Sequence, residues 1–249
     1  MTTVLETVGL MKHFGALTVA NEISLTVELG ARQALIGPNG AGKTTLVNLL
    51  TGALAPDEGQ VLLDGVDITN QPQYRRVALG LARTFQVNQI FPNMTPLESV
   101  ALAVAQRRGA TARWWPRLAR DTAVVDEAAE LLDRLRLLDC AHVLSRTLPY
   151  GRQRLLEIAL ALALRPRVLL LDEPAAGVPE GEGIELYTTI SELPSSVAVL
   201  LIEHDMDLVF RFARHITVLV AGSILVEGSP ESISSDVRVR EVYLGEVHP

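Results

Sequence analysis

The sequence predicts an α/β fold with a mostly parallel sheet and an inserted helical subdomain. Three observations predict it. Apolar strands and amphipathic helices alternate at both ends of the chain, a glycine-rich loop joins a strand to a helix, and a purely helical stretch interrupts the alternation.

Composition permits such a fold. A chain of 249 residues can bury a core without a disulfide or metal staple. Apolar residues make up 48% and charged residues 20%, which excludes disordered and collagen-like classes. The mean hydropathy of +0.25 is unusual and calls for a membrane span or an apolar face kept for a partner. The longest apolar runs lie in Ser99–Ala105, Ile158–Leu164 and Val168–Leu171. They fall well short of the roughly 20 residues a spanning helix needs. The N-terminus lacks a basic n-region and an apolar h-region, so no secretory signal is expected. A lone cysteine, Cys140, fits a reducing cytoplasm. The net charge of −7 argues against non-specific nucleic-acid binding. Lys12 and Lys43 are the only lysines.

In chain order, Val4–Leu10, Ile23–Glu28 and Gln33–Ile36 read as strands, the last running into the glycine-rich loop. A helix follows from Lys43 to about Leu50, then a strand over Gln60–Leu63 closed by an Asp64-Gly65 hairpin signal. Leu81–Phe85 is a short strand ending at Gln86. Pro96 opens a helix to about Ala105; Asp121–Leu138 and Gly151–Leu164 are two more. Alternation then resumes: strand Val168–Leu171, helix Gly183–Leu193, strand Val197–Ile202, helix Asp205–Ala213, strands Ile216–Val220 and Ser223–Val226, and a helical tail. The whole chain reads as one domain, with a core of 1–91 and 161–249 and a helical subdomain at 92–160. Residues 106–120 carry five arginines and Trp114-Trp115. This stretch is read as a solvated or lipid-facing surface rather than a nucleic-acid patch.

Chemistry concentrates in a few places. Gly37-Pro38-Asn39-Gly40-Ala41-Gly42-Lys43-Thr44 fits the phosphate-loop pattern G-x-x-x-x-G-K-[ST], in its required place after a strand and before a helix. The glycines let backbone N–H groups turn inward around phosphate oxygens, and the helix N-terminus adds positive potential. Lys43 supplies a charge between β- and γ-phosphates, and Thr44 offers its hydroxyl to Mg²⁺. The apolar run Val168–Leu171 ends in Asp172-Glu173. Asp172 is placed to hold Mg²⁺ through water, and Glu173 to orient or deprotonate an attacking water. Gln86 and His204 follow other strands; a lone histidine there is usually structural, but at this sheet edge His204 could reach the γ-phosphate, and Gln86 the metal or the water. Phe14, before Gly15, is either a core residue or a stacking platform for adenine.

Taken together, these residues resemble an ATP-binding-cassette (ABC) ATPase. The ordered set is Phe14, Walker A through Thr45, Gln86 of the Q-loop, a signature near Leu148, Walker B through Asp172 with Glu173, and the switch His204. The resemblance implies a P-loop NTPase with an N-terminal antiparallel β subdomain. It implies ATP and Mg²⁺ as cofactors, with Thr44, Gln86 and Asp172 at the metal. It also implies a head-to-tail pair of cassettes trapping two ATP molecules, two integral-membrane permease subunits on separate chains and an extracytoplasmic binding protein. No nucleic-acid partner is expected. The chain would lie peripherally on the cytoplasmic face of the inner membrane.

Ala82-Arg-Thr-Phe-Gln86, Phe91-Pro-Asn-Met-Thr95, Tyr150-Gly151, Asp172–Gly177 and Glu241–Glu246 look like the longer ATPase of branched-chain (hydrophobic) amino-acid uptake systems. ATPases of urea uptake and lipopolysaccharide export share several of these motifs. Cassettes acting on nucleic acid carry long coiled coils or zinc insertions, and this chain has neither. A nucleotide-binding scaffold or a P-loop kinase fits less of the set. Two departures stand out. The signature reads Leu148-Pro149-Tyr150-Gly151-Arg152, and Pro149 has neither hydroxyl nor N–H. Donation there falls to the amides of Tyr150 and Gly151 and to Arg152. Pro179 stands where the family usually has Asp or Asn.

Overall fold

The structure is a computed structural model that describes residues 2–84, 90–109 and 121–244. It forms two compact units: residues 1–83, 167–173 and 194–249, and residues 84–166 and 174–193. The sequence expectation put the helical part at 92–160; the second unit also takes in 84–91, 161–166 and 174–193.

The first unit holds two sheets. One is antiparallel, in the order β2-β1-β5-β6, with β3 also on β1: β1 (Thr3–Phe14), β2 (Leu17–Ile23), β3 (Thr26–Glu28), β5 (Glu58–Leu63) and β6 (Val66–Asp67). The other runs β11-β10-β4-β9-β8-β7, from β4 (Arg32–Ile36), β7 (Leu81–Arg83), β8 (Val168–Asp172), β9 (Ala198–Ile202), β10 (His215–Val220) and β11 (Ser223–Gly228). β10, β4, β9, β8 and β7 are parallel, and β11 returns antiparallel. Every residue of β4, β8 and β9 is buried, so these strands read as unbroken runs rather than alternating ones. Leu35 and Asp172 both pair with Ile202, which brings the C-terminal ends of three neighbouring strands level. In open α/β sheets that edge is where ligands bind.

Helix α1 (Lys43–Thr51) turns Leu46, Val47, Leu49 and Leu50 into the core. Its C-terminus stops at Gly52 in the left-handed region. Helix α2 (Gln73–Leu79) is absent from the sequence reading, because its apolar periodicity is weak. It forms around a buried cation: the Arg76 guanidinium donates to the carbonyls of Leu49, Leu50, Thr69 and Gln71 at 2.6–2.9 Å. Arg76 thus joins the Gly52 N–H in satisfying the last carbonyls of α1.

The second unit is helical: α3 (Pro96–Arg107), α4 (Thr122–Arg134), α5 (Tyr150–Ala163) and α6 (Glu180–Ser191). Thr95 and Glu98 form a capping box at the start of α3. α4 stops at Arg134 rather than Leu138, because Arg136 takes φ +58° and the Leu137 amide closes on the Leu132 carbonyl. α6 starts at Glu180 rather than Gly183, directly after Pro179, which is extended at the cap. Of the five arginines in 106–120, Arg107 and Arg108 pair with Glu127 at 2.8 and 2.6 Å, joined by Arg165 at 2.8 Å. The other three, with Trp114 and Trp115, lie outside the described residues. The first unit is completed by α7 (Met206–Phe212), α8 (Pro230–Ser235) and α9 (Val237–Leu244). Among the described residues no helix is long and apolar enough to cross a membrane.

Candidate nucleotide site

β4 delivers the chain into Gly37–Gly42, and α1 leaves it. Gly42 is the helix cap at φ +102°, and no described side chain caps the first turn, so its amides stay open to an anion. A Cβ at Gly42 would lie 2.6 Å from the Val19 carbonyl oxygen. The strand behind the loop therefore demands glycine there, for close approach as well as for φ. Pro38 is half-buried, Asn39 and Gly40 are exposed, and Ala41 is buried. Lys43 Nζ donates to the carbonyls of Gly37 at 2.6 Å and Pro38 at 3.0 Å. Burial pushes its ammonium below the ordinary lysine value, while the carboxylates of Glu173 and Asp172 pull it back up. Thr44 is exposed and Thr45 half-buried. The glycine cradle, open amides and Lys43 suit a polyphosphate bound with its divalent cation.

The acids stand at the end of β8. Asp172 is buried, and its Oδ2 accepts from Arg83 Nη2 at 2.7 Å. Glu173 has φ +47°, a sparsely populated conformation for a side-chain-bearing residue, and its N–H donates to the Ile202 carbonyl at 2.9 Å. Its Oε1 lies 3.4 Å from His204 Nδ1. His204 follows β9 and is 65% exposed, so it is no core histidine. The buried carboxylate of Glu203 accepts from the His204 N–H at 3.0 Å and fixes the backbone there. Phe14 ends β1 and is 52% exposed, which removes the core-packing alternative. Gln86 lies outside the described residues.

The signature residues sit in the second unit. Pro149 is the cap of α5 and gives no side-chain hydrogen bond. The Gly151 N–H donates to the chain's own Glu182, 2.9 Å to Oε2. Arg152 pairs with Asp139 at 2.6 Å, and the Arg154 guanidinium lies 5.3 Å from the Tyr150 ring centre.

Sequence reasoning missed four residues here: Arg83, Asn48, Glu182 and Tyr243. Arg83 lies inside the Ala82–Gln86 run, which was a visible signal. The Tyr243 hydroxyl, on α9, lies against the Gly37 backbone, and burial pushes it up to about 12.

A glycine loop opening a helix, beside a carboxylate pair at one edge of a parallel sheet, defines a P-loop nucleotide-binding protein. Comparison with known proteins narrows this. The ABC transporter family matches residues 20–176, and a branched-chain amino acid ATP-binding cassette transporter family matches residues 223–249. The chain is 41% identical to the high-affinity branched-chain amino acid transport ATP-binding protein BraF of Pseudomonas aeruginosa, covering 98% of each. It is 39% identical to LivG, of the same description, from Escherichia coli, covering 96% of each. It superposes on the crystal structure of an ATP-binding cassette of an ABC transporter in its ADP conformation with TM-score 0.85 and 31% identity, covering 98% of this chain and 100% of that one. The chain belongs to the ATP-binding-cassette family of ABC transporters, and its fold is that of the ABC cassette.

Proposed function

We propose that the chain is the ATP-hydrolysing, energy-coupling subunit of an importer for branched-chain or other hydrophobic amino acids. One convergence carries the reading: the glycine loop, Asp172, Glu173 and His204 leave the same edge of one parallel sheet. The match at residues 223–249 and the names of the relatives favour amino-acid cargo.

On this reading, the amides of the loop and of the first turn of α1 hold the β- and γ-phosphates, and Phe14 stacks on adenine. Lys43 leaves the carbonyls of Gly37 and Pro38 and turns to the phosphates. A magnesium ion, held by Thr44, Asp172 and Gln86, would supply charge neutralisation at the phosphates. Glu173 takes a proton from the attacking water as that oxygen bonds to the γ-phosphorus. The bond to the bridging oxygen breaks, and ADP leaves with its electrons. His204 steadies Glu173 and meets the γ-phosphate. Tyr150, Gly151 and Arg152 face the ATP of a second cassette. The pair closes on ATP and parts after hydrolysis, and the helical unit passes that motion to two permease subunits. The subunit then works peripherally at the cytoplasmic face of the membrane, with a binding protein on the far side.

Glu173→Gln tests the reading. It should bind ATP, favour the closed pair and lose turnover by about 100-fold or more. Unchanged steady-state hydrolysis would sink the assignment.

A further inference from the structure

Asp172 needs a counter-charge, because a buried ionised carboxylate left alone is strongly destabilising. The loop lysine acts on it only through space, because Lys43 Nζ spends its hydrogen bonds on the carbonyls of Gly37 and Pro38. Arg83 meets it directly. It is the last residue of β7, the edge strand beside β8. Its Nη2 meets Asp172 Oδ2 at 2.7 Å, with side chains 14% and 5% exposed. Its Nη1 donates at 2.9 Å to Asn48 Oδ1. Asn48 belongs to α1, the helix that begins with Lys43 and Thr44.

One planar guanidinium therefore joins three elements of the site: the edge strand, the acid-bearing strand and the phosphate-loop helix. It takes one carboxylate oxygen, and Oδ1 receives no hydrogen bond from a described residue. A lysine ammonium could meet Asp172 but not span the same fork.

We propose that Arg83 is a positioning residue for the metal-bearing carboxylate: it holds Asp172 in the one orientation that serves the divalent cation of bound nucleotide. The inference rests on the reading of Asp172 as a metal holder. Two effects of Arg83 oppose each other. A nearby guanidinium repels a cation, so its loss by charge alone would strengthen metal binding. A fork that fixes the carboxylate does the reverse, since removing a partner that orients a metal ligand typically weakens metal affinity about 10–100-fold. The sign of the change therefore separates the two.

The test measures ATP affinity of the full chain by titration calorimetry, once in excess Mg²⁺ and once in EDTA. The readout is the ratio of the two affinities, which a purely structural role would not move. Arg83→Met should lower the ratio about tenfold. Arg83→Lys should recover only part of it, and Asn48→Ala, which frees one arm of the fork, should lower it about threefold. Thermal melts show which variants fold, and the Lys and Ala variants carry the test if the Met variant does not. A ratio that rises, or stays at the wild-type level in all folded variants, overturns the proposal. Asp172→Asn is the control for the underlying reading. If it leaves the ratio intact, Asp172 does not hold the metal; if it collapses the ratio while the Arg83 and Asn48 variants do not, only the inference about Arg83 falls.

Discussion

Of the signature donors that Pro149 leaves, the Gly151 amide is already occupied. Its N–H donates to Glu182 Oε2 at 2.9 Å, so the chain places its own anion on the amide that, in the proposed mechanism, meets the partner's γ-phosphate. A hydrogen bond to a charged acceptor contributes about 1.5–3 kcal/mol. Glu182 is half-buried, so the lower end, about 1.5 kcal/mol, applies. Closing on a partner's ATP must break this bond before making a new one. Glu182→Ala should therefore strengthen ATP-driven association by about tenfold per signature site, and by about 100-fold for a pair of this chain, since 1.4 kcal/mol is a factor of ten. Glu182→Gln keeps a neutral acceptor and should fall between, at about threefold per site. Sedimentation velocity with ATP, in the Glu173→Gln background that retains nucleotide, measures both. Association that is unchanged or weaker in Glu182→Ala refutes the argument, because loss of the bond and loss of the negative charge both push toward closure.

Two further outcomes follow from the loop and its surroundings. Gly42→Ala must adopt φ +102° with its Cβ 2.6 Å from the Val19 carbonyl, so it should cost about 1–3 kcal/mol in the loop. ATP affinity by calorimetry should fall roughly 5–100-fold, and wild-type affinity would contradict the close approach. Tyr243 gives a pH dependence. Its folded value of about 12 lies above the unfolded 10.0, so the stability it contributes is intact below about pH 10 and is lost as pH rises toward 12. Denaturant melts at about pH 9 and about pH 11 should show wild type losing more stability than Tyr243→Phe; equal losses would count against burial of the hydroxyl.

Much of the proposed site was readable before the fold, because phosphate chemistry constrains residues that are close in sequence. The loop Gly37–Thr44 needs fixed spacing, and the run into Asp172-Glu173 needs a buried strand, so both leave local patterns. Helix α2 left none: it is held by Arg76 reaching carbonyls at the end of α1 and in the loop before α2, and a charged residue at its centre hides the packing. The end of α4 was misplaced for a similar reason, since Arg136 takes a conformation usually signalled by glycine.

Sequence alone determined the α/β class, most of the elements of the parallel sheet and the residues proposed to meet phosphate, since each depends on short-range spacing and periodicity. Tertiary structure decided which charges face one another. Arg83 reaches Asp172 across 89 positions of chain, and Glu182 reaches Gly151 across 31. Such pairs depend on strand register and helix placement, which no local pattern encodes. They decide how the Asp172 carboxylate is held and which acceptor the Gly151 amide meets.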